Sequence, residues 1–198
     1  MTTALHEPRT IDLPKNSFSK RFSAKTSIIL IVIAAVVIGI VQANQANKES
    51  WQTQALSGSV AMTESQLRNL VKSENLTVYW TGPMTKSLYM LNTKKSGQSI
   101  LTYLPQKSKS QPVVVNSRVI GTYYSQKAFT ESLNIATSDA NVSFKNADGN
   151  LVFYPKDRKT GVFVAIPNSS YQIEIYDPIP GQAINVASLR NQLTQIGL

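Results

Sequence analysis

Ile28–Val41 is an unbroken apolar run, and no other stretch constrains the chain as strongly. Ile28, Ile29, Leu30, Ile31, Val32, Ile33, Val36, Val37, Ile38, Ile40 and Val41 carry it, with only Ala and Gly between them. As a helix the run covers about 21 Å, short of the ~30 Å hydrocarbon layer of a bilayer. Extended to Ala24–Ala43 it becomes long enough to cross. A core helix would show one polar face, and this run shows none. The segment is therefore expected to span a membrane, as an anchor or as a cleaved signal sequence. Val41-Gln42-Ala43 supplies a small-residue cleavage pattern, while the long tail ahead of the run and its extreme apolarity favour an anchor. In either case the orientation is the same. Arg9, Lys15, Lys20, Arg21 and Lys25 precede the run against only Glu7 and Asp12, and positive residues stay in the cytoplasm. The C-terminal bulk is expected outside.

Four regions follow from this. Residues 1–23 are expected as a disordered basic cytoplasmic tail. Phe18 and Phe22 in it suggest a short contact with the inner leaflet, an unstructured linker being the alternative. Residues 24–43 are the expected transmembrane helix. Residues 44–57, rich in Gln, Ala and Asn, form the expected stalk, with Trp51 at the outer interface. Residues 58–198 make one domain of ordinary size.

That domain reads as α+β: a mostly antiparallel sheet with about three amphipathic helices. Thr63-Glu-Ser-Gln66 is a capping box ahead of Leu67, Leu70 and Val71, predicting a helix over Glu64–Ser73. Thr77–Trp80 reads as a strand. Ser87–Leu91 and Ser99–Leu104 read as a hairpin around a Gly-containing turn, and Val113–Val115 and Val119–Tyr123 as short strands. A second helix is expected after Ser125, with Phe129, Leu133 and Ala136 on its apolar face. Strands then follow at Val142–Phe144, Leu151–Tyr154, Val162–Ile166 and Tyr171–Tyr176. Val186, Leu189, Leu193 and Ile196 predict a C-terminal helix. One helix followed by three or more strands, twice over, suggests an internal α-β-β-β duplication.

The chemistry is bounded by what is missing. The chain has no Cys, and its one His, His6, lies in the basic tail. The expected outer domain thus holds no Ser/His or Cys/His pair and no thiolate or imidazole for a metal. No catalytic, cofactor-binding or metal-ligating residue is expected, and no cofactor. Paired carboxylates of a hydrolase remain as an alternative, although Glu174 and the other acids sit where solvated charge is the default. Asp148-Gly149-Asn150 reads as a hairpin turn, since the repeated acids of a calcium loop are absent. The net charge of +9 is interrupted by acids and forms no stripe, which argues against a nucleic-acid partner. It suits an anionic lipid surface or wall polymer.

The aromatic residues give the candidate binding surface: Tyr79, Trp80, Tyr123, Tyr124 and Tyr176, all on or beside strands. Such side chains pair an apolar body with a wet tip and recur at interfaces. Basic loop tips at Lys94-Lys95, at Lys107 with Lys109, and at Lys156 with Arg158 and Lys159 are candidates to meet an anionic glycopolymer or lipid, solvated loop charge being the alternative. The first expectation is a membrane-anchored, non-enzymatic binding or assembly module at the outer face of the cytoplasmic membrane. The second is an accessory subunit docking on an envelope protein or a larger membrane complex.

Val78-Tyr-Trp-Thr-Gly-Pro83, Tyr103-Leu-Pro105, Gly121-Thr-Tyr123, Ala128-Phe129 and the run Ala165–Pro178 occur in this order. Together, across Leu76–Pro178, they resemble the exported domains of uncharacterised actinobacterial single-pass membrane proteins. The resemblance implies the same topology, and it brings no catalytic residues.

Overall fold

The computed structural model describes residues 48, 50–93, 95–105 and 117–197. The apolar run at Ile28–Val41, the basic tail and Val113–Val115 lie outside them. No helix among the described residues is long and apolar enough to cross a membrane. What is described is an α+β unit with four helices and a mostly antiparallel sheet.

The first helix, α1 (50–56), falls in the expected stalk. Its Ala55 is fully buried in the core and Trp51 packs against that core, so the packed unit begins ahead of Gly58. Next comes α2 (Glu64–Ser73), within the bounds its capping box predicts. Thr63 Oγ1 accepts from the Gln66 backbone N–H at 3.3 Å, and Gln66 Oε1 accepts from the Thr63 N–H at 2.9 Å. Leu67, Leu70 and Val71 are its buried face.

The strands follow as β1 (Tyr79–Trp80), β2 (Ser87–Asn92), β3 (Gln98–Pro105) and β4 (Val119–Tyr124). After α3 (Ala128–Ala136) come β5 (Asn141–Lys145), β6 (Leu151–Pro155), β7 (Gly161–Ala165) and β8 (Tyr171–Tyr176). The chain ends with α4 (Gln182–Ser188) and β9 (Thr194–Gln195). Seven strands form one antiparallel sheet in the order β2-β3-β4-β8-β7-β6-β5, and β1 pairs with β9 apart from it. Two meanders thus meet where β4 pairs with β8, which places Ile120 opposite Ile175 and Thr122 opposite Ile173. The outer edge of β2 is covered by the preceding chain, since Met62 and Tyr89 exchange backbone hydrogen bonds at 2.7 and 2.8 Å.

Alternation along the strands sorts side chains between the two faces. Leu91, Leu101, Ile120, Ile175 and Val162 run across one face in register. They share the main core with α2, α4 and Ile196. The opposite face carries Leu151, Phe153 and Ala165, covered by Ala136 and Phe129 of α3. The helices heading the two expected repeats therefore lie on opposite faces. A repeat generated by rotation within the sheet would place them on the same face.

Two helical faces differ from their expected patterns. In α3 the buried residues are Ala128, Ser132 and Ala136, while Leu133 is 43 % exposed. Ser132 fits the interior because its Oγ accepts from Gln172 Nε2 at 3.0 Å, satisfying a polar pair under the helix. The C-terminal apolar spacing is not one helix. The helix α4 ends at Ser188, Leu189 is extended, and Ile196 reaches the core from beyond β9.

Candidate functional site

Two clefts open at opposite ends of β3, β4 and β8. At one end, the β2–β3 turn lies beside the last residue of β4 and the first of β8. Gly97 adopts φ +70°, which a side chain rarely tolerates, and its carbonyl accepts from the Tyr124 N–H at 2.7 Å. The resulting cleft, about 270 Å³, is lined by Tyr124 and Tyr171, by Lys95 and by a set of Thr and Ser side chains. Tyr124 meets Tyr171 edge to face with ring centroids 5.6 Å apart, and Tyr171 meets Tyr79 at 6.3 Å. Tyr124 is 51 % exposed, so a ring held by its neighbour still presents a free surface. Lys95, Thr77 and Ser96 make no side-chain hydrogen bond or ion pair among the described residues. The cleft therefore combines an aromatic platform, unengaged hydroxyls and a cation.

At the other end, Arg118 and Asp177 form an ion pair with side chains only 10 % and 7 % exposed. Arg118 Nε and Nη2 donate to Asp177 Oδ2 at 2.9 and 2.8 Å, and Nη1 donates to Thr81 Oγ1 at 3.2 Å. Asp177 Oδ1 accepts from the Ile179 N–H at 3.0 Å. Tyr103 joins the network: its hydroxyl accepts from the Thr81 N–H at 3.0 Å and donates to the Gly82 carbonyl at 3.2 Å. Burial pushes the Tyr103 hydroxyl up to about 12, the bonds from Thr81 opposing it only in part.

The five aromatic residues singled out from sequence do not form one surface. Tyr79 and Tyr124 join the aromatic group at the first cleft. Trp80 is a core residue, 3 % exposed, capped by the Arg68 guanidinium at 4.4 Å and donating its indole N–H to Thr194. That placement replaces its expected surface role, because β1 is roofed by α2 and β9 rather than open. Tyr123 and Tyr176 belong to the sheet face that carries Glu174. Tyr123 donates to Glu174 at 3.0 Å, and its ring fills the space over Gly121, where an added Cβ would lie 2.5 Å from the Tyr123 hydroxyl. Burial, then the Glu174 carboxylate, push Tyr123 up to about 12.

Glu64 holds Arg68, Glu131 holds Ser125, Glu174 holds Tyr123 and Asp177 holds Arg118. These acids share no partner. Asp148 lies in the β5–β6 hairpin turn, which Asn146 organises by accepting from the N–H groups of Asp148 and Asn150. Comparison with known proteins returns no matching family, no matching curated protein and no matching solved structure.

Sequence reasoning missed Ser117, Arg118 and Asp177. Arg118 and Asp177 stand 59 positions apart and meet only because β4 pairs with β8. The one local sign was a charged residue immediately before β4 and another immediately after β8.

Proposed function

We propose that the chain is a membrane-tethered, non-enzymatic binding module at the outer face of the cytoplasmic membrane. Its aromatic cleft takes an acidic saccharide unit of an envelope polymer. The carrying observation is Tyr124, half exposed yet fixed against Tyr171, with Lys95, unengaged among the described residues, lining the same cleft. A pyranose ring offers an apolar face to an aromatic side chain and hydroxyls at its rim. Thr77 and Ser96 have hydroxyls to exchange with that rim, and Lys95 supplies attraction for a carboxylate or phosphate. The separate partners of the hydrogen-bonded acids lend no support to a hydrolase built on two carboxylates.

The direct test is calorimetric binding of oligogalacturonate by the full chain in lipid nanodiscs, with a neutral dextran oligomer as control. Tyr124→Ala is expected to weaken binding about tenfold, as loss of a contact worth about 1.4 kcal/mol would. Lys95→Ala is expected to weaken it less and to flatten its salt dependence. Equal affinity of Tyr124→Ala and the unaltered chain would sink this assignment, as would preference for dextran.

Tethering rests on the Ile28–Val41 run and the positive charge ahead of it. Mass spectrometry of the protein recovered from membranes is expected to find the chain intact through Ala43. Recovery of a form beginning at Asn44 would replace the anchor with a cleaved signal sequence.

A further inference from the structure

The second cleft, about 370 Å³, has a polar floor and apolar lips. Ser117 lines it, is only 2 % exposed, and its Oγ has no hydrogen-bond partner among the described residues. A buried hydroxyl left this way is a net cost to folding, and such groups are rare unless something outside the chain satisfies them. Beside it, Arg118 uses three of its five N–H donors on Asp177 and Thr81, so its guanidinium has donors left over. At the rim, Met84 is 38 % and Ile179 is 64 % exposed. Long apolar side chains flanking an unsatisfied polar floor match an occupant with an apolar branch next to a hydrogen-bonding group.

The charge balance narrows the occupant. Asp177 already neutralises Arg118 at 2.8 Å, so the cleft offers hydrogen-bond donors without net positive charge. A carboxylate entering it would approach Asp177 as well as Arg118 and gain little. A neutral amide suits the same donors. We infer that this cleft receives a neutral peptide segment of a partner protein. Its aliphatic side chain seats between Met84 and Ile179, and a backbone carbonyl accepts from Ser117 Oγ, which is closed to solvent in the structure and must turn about its Cα–Cβ bond to meet it. The site stands at the end of β4 and β8 opposite the aromatic cleft, and it does not depend on the saccharide reading. It gives the chain a means of docking into a larger assembly.

The test uses the full chain in lipid nanodiscs, with isotope-labelled methionine and isoleucine methyl groups and the capped peptide acetyl-Ala-Leu-Ala-amide as probe. Saturable shifts of the Met84 and Ile179 methyls are expected in the millimolar range usual for a fragment of an interface. Ser117→Ala is expected to weaken the peptide about fivefold to tenfold while leaving Tm equal or higher, because it removes a hydroxyl that no described residue satisfies. Tyr124→Ala is expected to leave peptide binding unchanged, which separates this site from the saccharide site. The inference is overturned by an absence of methyl shifts, or by equal peptide affinity of Ser117→Ala and the unaltered chain. Tighter binding of the same peptide with a free C-terminal carboxylate would overturn it too.

Discussion

Arg118→Met is expected to destabilise the folded unit by about 3–5 kcal/mol, the cost typical of removing one member of a buried ion pair. Asp177 would then stay at 7 % side-chain exposure without its counterion, keeping among the described residues only the Ile179 N–H as a partner. Thr81 Oγ1 would lose its donor at the same time, loosening the turn that holds the Tyr103 hydroxyl. Adding Asp177→Asn to this variant should recover most of the loss. Asn keeps an acceptor for the Ile179 N–H and removes the charge that had no counterion. Urea denaturation followed by tryptophan fluorescence reads both variants, and an unchanged m-value shows that the midpoint reports stability. A loss below ~1 kcal/mol for Arg118→Met would mean that water reaches the pair and that it behaves as a surface salt bridge.

The cost of that substitution was not legible in the sequence, and the reason is physical. Local signals are written in neighbouring residues. The Thr63–Gln66 capping box needs only a single turn of chain, and it gave the bounds of α2. The alternation of Ile173 and Ile175 with Gln172 and Glu174 likewise gave β8 and its buried face. Neither signal says which strand lies beside which. Arg118 follows the β3–β4 connection and Asp177 follows β8, so their meeting depends on the pairing of β4 with β8.

Helix faces failed where polar residues found partners. Apolar spacing in α3 favoured Phe129, Leu133 and Ala136. Phe129 and Ala136 do pack against the sheet, but Leu133 is exposed and Ser132 is fully buried in its place, because Gln172 on β8 donates to it. Trp80 was read as a surface residue because a two-residue strand before Gly82-Pro83 shows no sign of being covered. What covers it comes from both sides in sequence: Arg68 of α2 stacks over the ring and Thr194 of β9 accepts the indole N–H. Tyr79 and Tyr124 were expected surface residues and Lys95 one of several expected basic loop residues, but nothing local joined them into one cleft. The platform itself was not legible, because Tyr171 stands beside Tyr124 only through the β4–β8 register.

The same network should make the fold sensitive to alkali. The Tyr103 hydroxyl is raised from 10.0 to about 12, chiefly by burial, so the folded chain holds this proton after the unfolded chain has released it. The Tyr103 contribution is therefore fully present below pH 10 and is lost as pH rises toward 12. A shift of this size corresponds to about 2–3 kcal/mol, at ~1.4 kcal/mol per pH unit. Tyr123 works in the same direction, raised by burial and by Glu174. It contributes less, since its ring is only half-buried and solvent screens the charge. Urea midpoints measured from neutral pH upward should be flat to pH 10 and then fall, in step with phenolate absorbance. Tyr103→Phe should start lower at neutral pH by about 1–3 kcal/mol, because the Thr81 N–H loses its acceptor. Its alkaline decline should be markedly shallower. If both proteins lose stability equally between pH 10 and 12, the buried hydroxyl is not the group that titrates.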